Sequence, residues 1–314
     1  MQAAKITVVG AGFVGMTCAQ RAAQEELAAE ICLIDVREGR ARGIALDLAQ
    51  AAAIEGYGAR VVGTGDPADT ANSDLVIVTA GKPRTPGMSR SDLLETNGRV
   101  ICEVAAYVRE RSPDAIVIVV TNPLDSMVAL MRRELGFPAR RVIGMAGVLD
   151  AARFSLFLAE ATGAGIADVD AMVLGAHGDS MVPIPEFCTI AGIPAPALLD
   201  RGEIDALADR TRAGGAEIVK LLETGSAFYA PASAAVAMAA SILRDAGRCM
   251  PCAVMLNGEY GIEGLYLGVP VILGARGVER IIEVPLATES RIALQKTAGA
   301  VARDMDQLRE LGLA

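Results

Sequence analysis

The chain of 314 residues contains one histidine, lacks any apolar run long enough to cross a bilayer, and carries fewer basic than acidic side chains. Each shortage narrows what the molecule can do. With a single imidazole, His177, only one side chain has an ordinary pKa near neutrality, so acid–base chemistry at that pH has one natural candidate. Apolar runs such as residues 115–120 stop early, here at Thr121-Asn122-Pro123, far short of a membrane span. A net charge of −9 argues against nucleic acid and against anionic membrane surfaces, and it means that an anionic substrate must be met by a local arginine cluster. The first residues run straight into a strand with no signal-type apolar segment, which points to the cytoplasm. Six cysteines (Cys18, Cys32, Cys102, Cys188, Cys249 and Cys252) are scattered through expected core elements, as in a reducing compartment. Cys249-Met250-Pro251-Cys252 has no second such pair to complete a zinc site, so it reads as strand packing and no metal is expected.

Hydrophobic residues make up 52% of the chain and charged ones 21%, a balance that supports a packed core, and the length allows two domains. In the first half, apolar runs at 5–10, 30–35, 60–64, 74–80, 115–121 and 141–145 alternate with helical patterns near 14–27, 40–55, 89–111 and 124–135. The runs are continuous rather than alternating, the pattern of strands buried on both faces of a helix-covered parallel sheet. After residue 146 the rhythm changes. A helix over about 147–162 leads to strand-like runs at 169–174 and 183–190, then to Ala-rich helices over 201–223 and 230–245. Further strand-like runs at 252–257, 262–267 and 269–274 precede a closing helix over 288–311, where Ile292, Ala298, Val301, Met305 and Leu308 define a core-facing stripe. The expected architecture is α/β, a doubly wound parallel sheet over 1–146 followed by an α+β domain over 147–314. Ala-rich stretches at 41–53 and 234–240 suit either a partner subunit or internal helix packing.

Gly10-Ala11-Gly12-Phe13-Val14-Gly15 follows the first strand and opens the first helix. Glycine is needed first for the turn, next for close approach of a pyrophosphate to the backbone, and last so that helix and strand can pack closely. Phosphates would then lie on free N–H groups at the helix start. Asp35 ends the second strand, where a carboxylate holds two ribose hydroxyls and repels a 2′-phosphate. NAD is therefore expected over NADP, with Arg37 and Arg40 nearby as the opposing signal. The glycine loop, Asp35, Thr79-Ala80-Gly81 and Thr121-Asn122-Pro123 all fall at carboxyl ends of expected strands, the edge where open α/β sheets bind ligands. Residues 81–90 form a loop too rich in Pro and Gly for a helix, and its Arg84 and Arg90 offer bidentate forks to a planar anion. Closure of that loop would exclude water from a reacting centre. Asp150 and Arg153 share a helix face. They form either an exposed ion pair or a cleft-facing set in which Asp150 holds a ring nitrogen of His177 and Arg153 grips a carboxylate. Phe154, Phe157 and Leu158 bury the adjacent stripe and would hold that face rigid.

In order, the Gly10–Gly15 loop, Pro83-Arg84-Thr85-Pro86-Gly87-Met88-Ser89-Arg90, Thr121-Asn122-Pro123, Asp150-Ala151-Ala152-Arg153 and Gly175-Ala176-His177-Gly178-Asp179 resemble the lactate/malate dehydrogenase superfamily. Within it they are most similar to bacterial malate dehydrogenases of the lactate-dehydrogenase-like type. The resemblance spans essentially the whole chain, including Gly258-Glu259-Tyr260-Gly261 and residues 278–283. It implies a Rossmann NAD-binding domain followed by a catalytic domain, a small dicarboxylate substrate, and a homodimer or homotetramer. It also implies that His177 donates and accepts the proton, Asp150 orients it, Arg153 binds the C1 carboxylate and Arg90 polarises the carbonyl. Asn122 resembles the residue that contacts the substrate oxygen, and Asn97, Val120 and Thr121 resemble NAD contacts. Arg84 stands where the family separates malate from lactate, because a second carboxylate needs a cation there and a methyl group does not. Losing such a charged partner costs about 2–5 kcal/mol, so malate is expected over lactate. The competing functions are a dehydrogenase for lactate or another 2-hydroxy acid, and a catalytically silent NAD-binding sensor. A sensor needs none of His177, Asp150, Arg153 and Arg90. A short-chain dehydrogenase would need a Tyr-x-x-x-Lys pair, which none of the five tyrosines supplies.

Overall fold

The computed structural model describes residues 4–83 and 88–314. Its first half alternates strands and helices: β1 (Lys5–Val9), α1 (Phe13–Gln24), β2 (Glu30–Ile34), α2 (Glu38–Glu55), β3 (Arg60–Thr64), β4 (Leu75–Val78), α3 (Arg90–Arg111), β5 (Ile116–Val119), α4 (Leu124–Leu135) and β6 (Val142–Gly144). The second half comprises α5 (Gly147–Thr162), β7 (Val169–Asp170), β8 (Val173–Leu174), β9 (Val182–Pro183), β10 (Thr189–Ile190), β11 (Ile193–Pro194), α6 (Arg201–Leu222), α7 (Tyr229–Leu243), β12 (Arg248–Asn257), β13 (Glu263–Gly274), β14 (Gly277–Ile281) and α8 (Thr288–Glu310).

Six parallel strands in the order β3-β2-β1-β4-β5-β6 form the frame. Both faces are buried because alternate residues of one strand feed different cores. Leu75 and Ile77 pack with Ile6, Val8 and the helices α1 and α7, whereas Val76 and Val78 pack with α3 and α4. The sheet then continues past residue 146: β12 pairs antiparallel with β6 through Ala253 and Gly144, and β13 and β14 follow as a meander. A third cluster, around Phe154 and Leu158 of α5, lies under the small β7-β10-β11 sheet and α6. No helix among the described residues is long and apolar enough to cross a membrane.

Four expectations need correction. The runs at 169–174 and 183–190 are not single strands but the two-residue β7, β8 and β10, with β9 ending at Pro183; Pro183 and Pro185 lack the N–H a ladder needs. The runs at 262–267 and 269–274 are one strand, β13, and β14 is an element the sequence pattern did not reveal. Ile292 is 64% exposed, because the buried stripe of α8 runs through Leu294, Thr297, Ala298, Val301, Asp304 and Leu308, about half a turn away. Of the Cys249/Cys252 pair only Cys252 is buried. The Ala-rich stretch 234–240 packs inside, against α1, whereas α2 buries only Ala41 and Ala45.

Candidate active site

The chain leaves β1 toward β2 and β4 toward β5, opening a crevice at the carboxyl ends of β1 and β4. Gly10 turns there with φ +99°, and a Cβ on it would lie 2.8 Å from the Ala80 nitrogen. A Cβ on Gly15 would lie 1.8 Å from the Gly10 carbonyl oxygen, so only glycine lets α1 start this close to its strand. Gly12 is different: its Cβ position faces open space, and as the N-cap of α1 it offers no side-chain cap, leaving the first helical N–H groups to a ligand. The Asp35 carboxylate accepts the Ala11 N–H at 2.7 Å and the Arg37 N–H at 2.8 Å, while Arg40 Nε donates to the Ala11 carbonyl at 2.6 Å. Asp35, just past the end of β2, and Arg40, in the first turn of α2, thus brace the loop. A cradle of free amides with an uncapped helix start suits a dinucleotide pyrophosphate.

A cavity of about 600 Å³ runs from this loop to the histidine. Gly12, Phe13, Val14, Gly15, Val120, Thr121, Asn122, Arg153 and His177 line it. Phe13, 56% exposed, stacks on Phe228 with ring centroids 5.2 Å apart, closing one wall. Asn97 is buried. Its side-chain oxygen accepts the Lys82 N–H at 2.8 Å, and its Nδ2 donates to the carbonyls of Lys82 and Asn122 at 3.1 and 2.7 Å. It therefore ties the two strand-end loops together. Thr121 Oγ1 donates to the Ala80 carbonyl at 2.7 Å and reinforces the same edge.

At the far end, His177 Nδ1 donates to Asp150 Oδ2 at 2.9 Å, and the other Asp150 oxygen meets Arg153 Nη1 at 3.2 Å. Asp150 is only 1% exposed, so the pair is the cleft-facing set and not a surface ion pair. Arg153 Nε is buried and finds no partner among the described residues, which leaves a donor for an incoming anion. Burial of the imidazole favours its neutral form, yet the charge and hydrogen bond of Asp150 outweigh that and hold His177 above its ordinary pKa. With Nδ1 engaged, a proton exchanged with a substrate passes through Nε2.

Three backbone anchors hold this segment, none visible as a motif. Gly175 and Gly268 of β13 exchange N–H···O bonds of 2.9 and 3.1 Å, and a Cβ on Gly268 would lie 2.6 Å from the Gly175 oxygen. Thr297 Oγ1 of α8 accepts the Ala176 N–H at 3.1 Å, and Asp125 Oδ2 of α4 accepts the His177 N–H at 3.0 Å. Burial raises the Asp125 carboxyl from 3.8 to about 7, and its second oxygen has no partner among the described residues. The only signal for Gly268 was a glycine inside an apolar run, which suggested a break between strands.

Not every expected residue joins the cavity. Arg90 is the first residue of α3, behind a Ser89/Asp92 capping box, and not part of the preceding loop. It does not line the cavity; its guanidinium is held by Asp304 of α8, Nε to Oδ1 at 3.1 Å and Nη2 to Oδ2 at 2.6 Å. Arg84 lies outside the described residues. Sequence reasoning missed Arg212, a cavity-lining cation whose Nε donates to the Met181 carbonyl at 3.2 Å.

Comparison with known proteins agrees with this arrangement. The lactate/malate dehydrogenase NAD-binding domain matches residues 4–144, and the alpha/beta C-terminal domain of the same family matches residues 147–311. The chain belongs to the lactate/malate dehydrogenase family, a family of NAD-dependent oxidoreductases. It is 48% identical to the malate dehydrogenase of Roseiflexus castenholzii over 307 residues, covering 98% of this chain and 99% of that protein. The solved malate dehydrogenase of Salinibacter ruber superposes with a TM-score of 0.94 at 44% identity, covering 98% of each chain. The lactate dehydrogenase of Cryptosporidium parvum, solved with lactic acid and NAD, superposes with a TM-score of 0.95 at 38% identity, covering 98% of this chain and 99% of that one.

Proposed function

We propose that the chain is an NAD-dependent malate dehydrogenase that interconverts (S)-malate and oxaloacetate. The observation that carries this is the buried Asp150 that joins His177 to Arg153, both of which line the same cavity as Gly12, Phe13, Val14 and Gly15 of the glycine loop. NAD, when bound on that edge, supplies the hydride acceptor. The C1 carboxylate of malate sits on Arg153, whose Nε is available for it, and the C4 carboxylate is assigned to Arg84. Asn122 contacts the C2 oxygen. His177 takes the C2 hydroxyl proton at Nε2 as the C–H bond breaks, and Asp150 stabilises the imidazolium that forms. In the reverse direction the imidazolium returns that proton to the carbonyl oxygen, and Arg90 polarises the carbonyl.

Residues 1–146 are assigned to cofactor binding and 147–314 to substrate binding and catalysis. The protein is placed in the cytoplasm, in keeping with six free cysteines. A homodimer or homotetramer is supported by α2, where Leu46 is 61% and Ile54 90% exposed; sedimentation of the purified protein checks this.

His177→Asn tests the assignment. NADH binding, followed by fluorescence, should stay near that of the parent while turnover of oxaloacetate falls by roughly 10²–10⁴-fold. Turnover like the parent's would overturn the role of His177.

A further inference from the structure

Arg90 and the cavity present an unresolved geometry. The assignment of Arg90 to the substrate carbonyl needs its guanidinium in the cavity, yet both Nε and Nη2 are spent on Asp304, 214 residues away on α8. Asp304 is nearly enclosed: its side chain is 10% exposed, against 63% for that of Arg90. Besides Arg90, it has one further hydrogen-bond partner among the described residues, Ser126 Oγ of α4, which donates to Oδ2 at 3.2 Å. The same turn of α4 carries Asp125, which holds the His177 N–H. The Arg90 site therefore lies one residue from the anchor of the catalytic histidine, and Asp125 and Asp179 both add to the negative field around the guanidinium.

We propose that Asp304 is a positioning residue that competes with the substrate for Arg90, holding the guanidinium outside the cavity until the substrate carbonyl and its adjacent carboxylate draw it in. This role rests on the assignment of Arg90 to the substrate. The exchange has a cost that follows from burial: when Arg90 leaves, a nearly enclosed carboxylate keeps, among the described residues, only the Ser126 hydroxyl. Substrate binding works against that cost, so it enters the KM for oxaloacetate. Anything that eases the loss of Arg90 should lower KM, and anything that leaves Asp304 more exposed to the loss should raise it. No covalent bond is made or broken in the exchange.

Two substitutions of opposite sign make the test. Asp304→Asn removes the charge that retains Arg90 and should lower the KM for oxaloacetate about two- to fivefold, with a smaller change in kcat, as expected for a partly exposed ion pair. Ser126→Ala withdraws the remaining partner and should raise KM, while Asp304→Glu should restore the parent's value. The dissociation constant of (S)-malate from the NADH-saturated protein, measured by calorimetry, should move in the same directions. Because removing a nearby negative charge also attracts an anion through space, Asp304→Asn is repeated in an Arg90→Gln background, where the effect should vanish. An effect that persists there, a fall in kcat in place of KM, or no change with Asp304→Asn would each overturn the role of Asp304. If Arg90→Gln alone leaves kcat like the parent's, the assignment of Arg90 fails instead.

Discussion

The two ends of the cavity are built on different plans. At the cofactor edge, six adjacent residues carry both the shape and the chemistry: Gly10 makes the turn, Gly12 bares the amides and Gly15 lets the helix approach. At the histidine end, three successive residues, Gly175, Ala176 and His177, are each fixed by a different distant element, namely β13, α8 and α4. One end is local and can be disturbed by a local change; the other is an assembly of long-range contacts. The division lets the substrate end be re-tuned from outside its own motif while the cofactor edge stays as it is.

After His177→Asn itself, the largest effect expected at the histidine end is that of Asp150→Asn, which should lower turnover by about 10²-fold or more. It should also move the pH profile. Asp150 holds His177 above its ordinary pKa against the opposing pull of burial, so removing the charge leaves burial dominant and lowers that pKa. Oxaloacetate reduction, which needs the imidazolium, should then lose its activity at a lower pH than in the parent. Malate oxidation, which needs the neutral ring, should reach its plateau at a lower pH. A profile unmoved on the pH axis would break the coupling of the two residues.

Next in size are two glycine substitutions that set the ends against each other. Gly15→Ala places a methyl group against the Gly10 carbonyl and should raise the KM for NADH by roughly tenfold or more, through displacement of the cradle. Gly268→Ala presses on the Gly175 carbonyl and should lower kcat by a similar factor of roughly ten, with NADH affinity close to the parent's. Steady-state kinetics with direct NADH titration separates them. Loss of NADH affinity in Gly268→Ala would mean that the two ends are one mechanical unit.

The smallest effect concerns Asp125. Its carboxyl is held at about 7 in the folded protein against 3.8 ordinarily, so the folded state keeps the proton longer than the unfolded one. Between those values stability falls as pH rises, and above the folded pKa the loss is complete. Asp125→Asn keeps an oxygen for the His177 N–H and cannot ionise, so its melting temperature relative to the parent should increase from pH 5 to pH 8. The increase should be a few degrees, about 1–4 °C. A difference that shrinks over that range would contradict a buried, proton-holding Asp125.

These differences explain what the sequence disclosed. The parallel sheet was legible because Val- and Ile-rich runs buried on both faces are continuous, and the cofactor edge because its chemistry lies in adjacent residues. For the pairing of Asp150 with His177 the sequence leaves two alternatives, and helix geometry alone does not choose between them; burial of Asp150 does. Gly268, Thr297 and Asp125 were not legible, since nothing local marks a threonine or a glycine as the receiver of a loop from across the fold. Asp304 was hidden for the same reason, and its hold on Arg90 is what places that arginine outside the cavity. Ile292 shows a milder limit: a helical period identifies a stripe, but where the stripe begins depends on what the helix packs against.

The central claim is tested most directly by following NADH absorbance with oxaloacetate and with pyruvate side by side, in the parent and in Arg84→Gln, and repeating both with NADPH. Rapid turnover of oxaloacetate with NADH, little with pyruvate, and a selective loss of the oxaloacetate reaction in Arg84→Gln is the predicted result. Preference for pyruvate would contradict the malate assignment while leaving His177 in place, and silence with both would contradict the assignment of the site as a working dehydrogenase.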